Sequence, residues 1–590
     1  MFKKNRAYHE KVSQMISWGH WFTLFNIFVI LPIASRYLFV SDWPRTLVGR
    51  IYAIGSLLGH FSFLSFAVYL LILFPLTFIV RSPRLLQIIS SVIATISITL
   101  LAIDSEIFAQ FRLHLNPLVW HFIANPQGVE LSQNWQVLFI AVPLLFLVQM
   151  LFGAWCWQKL RSLDKRAYLA KPFVLLFILA FMSSHFTYIW ADANFYRPIT
   201  MQRANFPLSY PLTARKLLER HGLLDKQLYE TTMTEQGRPE AIAIEYPLGK
   251  ISFSDQGAGY NLLMIVVNGI QYDSFKQDMP KLAQFANNNL NFTQHFSTGN
   301  REGTGLIGLL YGISPTYLDS ILSWKKSSAL ISALNQQNYK FNLLSANGFE
   351  SSIYRQALFS DYTLPNREQI SNNQLTQQWQ QWISWHMQNE GSRWFSYLNY
   401  INPAINKEGQ VTTKAYQKAT NIIDTEIADV IETLQNNNLL NNTIIVVTAS
   451  YGLESDDKNQ KLTASSNYSR QQLQVPLVIH WPDMAAQDIT KLTSHEDVMA
   501  TLMQHLLHAQ NPVNIYSQGE SLFTEKRQYN WVTAGDNRQL VITTSNETIV
   551  LKNDGNYKVY DQNYHEKKNT EPSLPLILQV LTDIRRFIAN

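Results

Sequence analysis

Asn268 stands where chemistry would be done. It closes the apolar run "NLLMIVVN", 261–268, and a glycine and a polar turn follow it. Such a run reads as a buried strand that delivers one functional side chain at its carboxyl end. An acid at that point would bind a divalent metal. An amide offers one neutral oxygen and no charge to offset the ion. The stretch "SYPLTARKLLERHG", 209–222, carries a different chemistry. Thr213 is a good helix N-cap and Gly222 a good stop. The first turn between them holds Arg215 and Lys216, and cations there oppose the helix dipole. They make sense with an anion between them: free N–H groups, the dipole and two cations form a phosphate site. Arg220 lies one turn further on. On these residues alone, generic attraction to anionic head groups, about 1 kcal/mol per basic residue, stays an equal alternative.

The elements that must position these residues divide the 590-residue chain unevenly. Stretches near 17–40, 52–80, 86–105, 134–157 and 171–190 are each long and apolar enough to cross a bilayer, which takes roughly 20 residues. The first begins too late for a cleavable signal peptide and is followed by further spans. Basic residues beside the spans set the orientation. Lys3, Lys4, Arg6, Lys11, Arg81, Arg84, Lys159, Arg161, Lys165, Arg166 and Lys171 lie on one side, against Arg36, Arg45, Arg50 and Arg112 on the other. This places the N-terminus in the cytoplasm and, after five crossings, residues 191–590 on the far side. Trp18, Trp21, Trp43, Tyr52, Trp155 and Trp157 fall near span ends, where an aromatic belt is expected. The single cysteine, Cys156, lies in the fourth span, so the exported part folds without disulfides. The net charge of +5 is mild and much of the excess flanks the spans. It indicates topology and lipid contact, not nucleic-acid binding. Asp104 and Glu106 end the third span, with Arg112 and His114 after them. Because charge is costly in lipid, they read as an interfacial cluster solvated by head groups.

Three parts follow: a five-span domain (1–190), an interfacial linker with short helices (191–257) and a globular domain (258–590). In the last, strands are expected at 261–267, 339–345, 393–399, 443–449, 475–481, 529–534 and 538–544. Helices are expected at 279–289, 327–337, 413–436 and 494–508. Short apolar strands alternating with amphipathic helices argue for an α/β fold with a mainly parallel sheet covered on both faces. The pieces 538–544, 547–552 and 557–561 read as edge hairpins, and 453–472 as a long polar loop. In "SHEDVMATLM", Ser494 caps a helix with Asp497 at its third position. His295, His480 and His495 read as structural.

Several stretches converge on one family. "NLLMIVVNGI", "FTQHFSTGNREGTGLIGLLYGISPTYLD", "NNTIIVVTASYG" and "LQVPLVIHWP" occur in the order seen in the alkaline phosphatase and sulfatase superfamily. Their combination with five spans resembles the branch that includes lipoteichoic acid synthase and phosphoethanolamine transferases. "KVSQMISWGHWFTLFNI", "GHFSFLSFAVYLLILFPLTFIV" and "YIWADANFYRPITMQRANFPLSYPLTAR" resemble, more closely, the PbgA/YejM family of inner-membrane lipopolysaccharide-sensing proteins of Gram-negative bacteria.

The resemblance implies a metal site and then shows it degraded. The hydrolases of this fold use a Thr or Ser nucleophile and divalent metals held by carboxylates and histidines. Here the strand-end acid is Asn268 and the nucleophile position is Glu302, flanked by Arg301, Thr298 and Thr304. The Asp-His pair after "TIIVVTA" is Ser450 and Tyr451, and the later histidine falls among Arg470, Gln471 and Gln472. No metal and no cofactor are expected; a rearranged site using Glu302, Asp273, Glu454 or Asp456 stays open. The resemblance further implies lipid A binding by the linker at Tyr210, Pro211, Thr213, Ala214, Arg215 and Lys216. Lys216 replaces the family's arginine, which removes bidentate geometry. It also implies a contact between the membrane part and the adaptor LapB, which hands the lipid A pathway deacetylase to the protease FtsH. Anionic phospholipid such as cardiolipin is a further implied ligand. The rival functions are a metal-dependent phosphatase or head-group transferase, and a cardiolipin carrier.

Overall fold

The computed structural model describes residues 2–41, 43–124, 135–165, 168, 170–456, 459–464, 467–568 and 570–589. The side chains of Lys3, Lys4 and Arg6, and Arg166, all used in the orientation argument, lie outside the described residues. The chain forms two compact units: Met1–Glu230 with Pro239–Ile242, and Thr231–Arg238 with Ala243–Ala589.

The first unit has five helices long and apolar enough to cross a membrane: His9–Val40, Leu47–Ile79, Pro83–Gln110, Ile140–Leu163 and Lys171–Ala193. Polar side chains tie them together where they are shielded from lipid. Gln149 Nε2 donates to Asn26 Oδ1 at 2.8 Å, and Trp18 Nε1 to the Gly153 carbonyl at 3.0 Å. Such bonds between spans replace the hydrophobic drive that lipid does not supply. Gly59 lets the second and fifth spans touch, since a Cβ there would sit 2.5 Å from the Phe181 backbone. Two sequence expectations change. Trp18 and Tyr52 are buried instead of joining an aromatic belt. Asp104 is not solvated by head groups: its carboxylate is buried and accepts from the Tyr37 hydroxyl, His114 Nδ1 at 2.8 Å and the Leu115 N–H at 2.6 Å. Helix packing supplied the partners that the linear sequence hides. Glu106 instead pairs with Arg36 at 2.6 Å.

In the second unit a seven-stranded sheet runs in the order Gln487–Ile489, Leu290–Phe292, Leu477–His480, Thr443–Tyr451, Asn261–Asn268, Trp394–Ile401, Lys340–Ser345. The last four are mutually parallel, and Leu477–His480 runs antiparallel to both its neighbours. The central strand shows why its sequence is continuously apolar. Leu262, Met264 and Val266 enter one core; Leu263, Ile265 and Val267 enter the other. Side chains alternate between faces, so a strand buried on both has no polar position. Ala329–Gln336 and His495–Thr501 pack on the first face. Asn372–Asn389 and Thr413–Asn436 pack on the second. The anticipated edge hairpins form a separate antiparallel sheet, Trp531–Gly535, Gln539–Thr544, Glu547–Lys552 and Tyr557–Asp561. The anticipated long loop contains strands Glu454–Asp456 and Lys461–Thr463, which pair with each other, and Lys461–Thr463 pairs in turn with Gln410–Thr412.

Candidate functional site

Asn268, Glu302 and Ser450, three of the four residues aligned above with hydrolase positions, meet at the carboxyl end of the central strand. Glu302 opens the short helix Glu302–Leu306. That helix lies against strand Thr443–Tyr451 because Gly305 has no side chain: a Cβ there would stand 2.0 Å from the Ser450 carbonyl oxygen. Glu302 Oε1 accepts from Asn268 Nδ2 at 3.0 Å, Asn399 Nδ2 at 2.9 Å and the Tyr354 hydroxyl at 3.0 Å. Asn347 Nδ2 reaches both carboxylate oxygens, at 3.3 and 3.2 Å. Ser450 Oγ in turn donates to Asn268 Oδ1 at 2.5 Å. Burial, with the Glu302 charge as the next cause, raises the Tyr354 phenol well above its ordinary pKa. Tyr451 is raised too, by burial first and Glu302 second.

This arrangement does not fit a divalent cation. Three carboxamide N–H groups point at the carboxylate a metal would need. Their orientation is fixed for two of them, because Asn268 Oδ1 is taken by Ser450 and Asn347 Oδ1 accepts the Ser345 hydroxyl at 2.6 Å. N–H donors repel a cation and do the charge balancing that metals do in a hydrolase. Among the described residues no group of three or more His, Cys, Asp or Glu side chains converges as a metal site. The open alternative therefore gains no support: Glu454 accepts from Ser469, and Asp456 from Asn459 at 2.7 Å. The flanking hydroxyls are committed to backbone. Thr298 Oγ1 donates to the Thr304 carbonyl at 2.9 Å, and Thr304 Oγ1 to the Arg301 carbonyl at 3.0 Å. Gln472 Nε2 donates to the Thr463 carbonyl, and Arg470 to those of Thr544 and Ser545. Sequence reasoning found Asn268 and Glu302. It missed Asn347, Tyr354 and Asn399, which come from three other segments and carry no linear signature.

The histidines are structural. His480 bonds Asn289 Oδ1 at 2.7 Å and the Leu440 carbonyl at 3.0 Å. Burial, aided by His495, pushes His295 well below the ordinary imidazole value, and burial lowers His495 to about 4. The capping box at Ser494 forms, with Asp497 Oδ2 accepting the Ser494 N–H at 2.7 Å.

The linker differs from expectation. The helix is Arg215–Arg220, and its N-cap is Ala214 in the left-handed region, φ 49°, not Thr213. Its end is as anticipated: Gly222, φ 68°, donates to the Glu219 carbonyl and Leu223 to the Leu218 carbonyl, a Schellman closure. The anion that offsets Arg215 belongs to this chain. Arg215 grips Asp192 with Nε at 2.7 Å and a terminal nitrogen at 2.6 Å, and its guanidinium stacks 4.9 Å from the Tyr229 ring centre. The bond to Asp192 raises the Arg215 pKa. Asp192 is buried at the end of the fifth span. Arg215 thus fastens the linker to the bundle and is not a free phosphate ligand. Lys216 and Arg220 are exposed. Beside them Leu208, Tyr210, Leu212 and Leu217 are 57–78% exposed. Pro211 and Tyr210 also border a small groove with His60 and His185 of the second and fifth spans.

Residues 4–253 match the family model described as a domain of unknown function (DUF3413), and residues 255–509 match the sulfatase family model. The inner membrane protein YejM of Salmonella typhi is 50% identical over 591 residues, covering 100% of both chains. An uncharacterized protein of Haemophilus influenzae is 40% identical over 578 residues, covering 97% of this chain and 96% of that one. Among solved structures, the lipoteichoic acid synthase LtaP of Listeria monocytogenes matches with a TM-score of 0.42 at 12% identity, over 57% of this chain and 95% of its own. Full-length identity of this order, with the expected fold in the second unit, means that the chain belongs to the protein family that includes the inner membrane protein YejM.

Proposed function

We propose that this protein is a non-catalytic sensor of the Gram-negative inner membrane that binds lipid A at the periplasmic leaflet. The observation that carries the reading is the linker surface, where Leu208, Tyr210, Leu212 and Leu217 stand exposed beside Lys216 and Arg220. Apolar side chains presented together mark a membrane or partner contact. Cations among them suit a phosphorylated lipid, with phosphate at the bases and acyl chains along the leucines. The left-handed Ala214 followed by helical Arg215 aims successive N–H groups to one side, an anion-binding shape. Thr213 and Pro211 lie in the segment leading into it. Arg215 acts here by position, holding the segment against Asp192.

The globular domain is a pseudo-hydrolase in this reading. A carboxylate fills the nucleophile position, and the amide N–H groups of Asn268, Asn347 and Asn399 donate to it in place of a cation. The N-terminus is cytoplasmic and the second unit periplasmic, as the basic-residue bias supports. By family resemblance the membrane part engages LapB, and through it FtsH and the lipid A pathway deacetylase. Lipid A regulates that contact only by binding its two states with different affinity.

The test is lipid A binding by the purified full-length protein in detergent, with metal content assayed on the same sample. Lys216→Ala/Arg220→Ala should weaken lipid A binding at least tenfold. Cardiolipin should compete less well than lipid A. Stoichiometric divalent metal, with lipid affinity untouched by the substitutions, would instead favour the phosphatase or transferase reading. Equal competition by cardiolipin would favour a carrier.

A further inference from the structure

The antiparallel sheet of the second unit borders a cavity of about 620 Å3, within the range of small-ligand pockets. Its lining combines cations with aromatic rings. Arg301, Arg538 and Lys552 face it, and among the described residues none of the three forms an ion pair. Lys558 at its edge is committed to Glu566 at 2.8 Å. One acid, Asp536, also lines it, but its Oδ1 already accepts the N–H groups of Arg538 at 2.8 Å and Gln539 at 3.1 Å. The cavity therefore carries a positive excess.

Its wall is flat and rigid. The rings of Tyr560 and Tyr564 stack with centroids 4.1 Å apart and 4° between planes. The Tyr564 hydroxyl accepts the Tyr468 N–H at 3.2 Å, which fixes it in place. Carboxamides of Gln539 and Asn556 complete the rim. Each such group both donates and accepts, as sugar hydroxyls do.

We infer that this cavity binds a negatively charged saccharide. The arginine forks suit a phosphate or carboxylate, the tyrosine faces suit the C–H face of a pyranose ring, and the amides suit its hydroxyls. The hydrolase centre supplies a reason for Arg301 to be free. Arg301 is extended, φ −144° and ψ 157°, immediately before Glu302. Its neighbour is bound within the amide network, while Arg301 itself reaches the cavity. The inference is independent of lipid A binding at the linker.

Saturation-transfer NMR on the full-length protein, in a detergent without a sugar head group, tests it. The probes are glucose 6-phosphate, glucuronate, glucose, inorganic phosphate and AMP. Glucose 6-phosphate or glucuronate should receive saturation on its ring protons, and glucose should not. Arg301→Gln/Arg538→Gln should reduce the signal at least fivefold with an unchanged unfolding temperature. Tyr560→Ala should reduce sugar binding while inorganic phosphate binding persists. Absence of signal from both charged sugars overturns the inference. So does displacement by inorganic phosphate at equal concentration, which marks a plain anion site, or stronger binding of AMP, which marks a base-stacking site. Should the double variant unfold, Lys552→Gln provides the same comparison at an exposed position.

Discussion

Replacing Glu302 by alanine tests whether the carboxylate and its amide donors are part of the scaffold. The substitution removes the acceptor of four donors. Two of them keep other partners: Asn399 Nδ2 retains the Tyr354 hydroxyl at 2.7 Å, and Tyr354 retains Tyr397 at 2.8 Å. Asn268 Nδ2 and Asn347 Nδ2 have no second acceptor among the described bonds. Each buried donor left unmet costs about 1–3 kcal/mol, so the two together cost about 4 kcal/mol. Removing a desolvated carboxylate and admitting a water offset part of this, leaving roughly 2–4 kcal/mol. An unfolding entropy of about 2.1 cal/mol/K per residue makes each kcal/mol roughly 1–2 °C for a unit of this length. The globular transition should therefore fall by about 3–6 °C in a thermal scan of the full-length protein. Hydrogen exchange across 261–268 should quicken. Glu302→Gln should fall less, because it keeps the oxygen that takes four of the five bonds. A rise in unfolding temperature on Glu302→Ala would refute the reasoning. Functional carboxylates are commonly held at a cost to stability, and a gain would mean that Glu302 serves a ligand and not the fold.

Other perturbations follow from the same geometry. Asp192→Asn should loosen the linker, seen as faster proteolysis across residues 205–225 and weaker lipid A binding even though Lys216 and Arg220 are untouched. Gly59→Ala should lower the thermal stability of the bundle, since its Cβ would meet the Phe181 backbone at 2.5 Å. Burial raises Glu496 to about 8 from 4.5. A carboxyl whose folded pKa is raised favours folding below about 4.5 and loses that contribution as pH climbs through about 8. Glu496→Gln should thus raise the unfolding temperature more at pH 8.5 than at pH 5. Adding magnesium, manganese or zinc should leave the wild-type unfolding temperature unchanged.

Much of the fold is legible in the sequence. The strand at 261–268 and the helix at 413–436 are written in local pattern, a doubly buried apolar run and a long amphipathic repeat. The helix Asn372–Asn389 is not anticipated, because glutamines dilute its apolar stripe of Leu375, Trp379 and Ile383. The Ser371–Gln374 capping box was the available signal. The polar stretch 453–472 conceals two strands of three residues each that pair with each other, and the strand that completes their sheet, Gln410–Thr412, lies far away in sequence.

The site divides the same way. The sequence alone determined that Asn268, Ser450 and Tyr451 bring no carboxylate or imidazole, whatever their setting. It also determined the five spans, because hydropathy over a bilayer's thickness is a property of composition. Only the tertiary structure decided what surrounds Glu302: Asn347, Tyr354 and Asn399 arrive there from separate segments. It likewise decided the role of Arg215. A guanidinium at a helix start reads as a phosphate ligand until folding brings a buried carboxylate, 23 residues away, within 2.6 Å of it. Local pattern encodes burial and periodicity, but the partner of a charge is a long-range contact, and that contact decides whether the charge is available to a ligand.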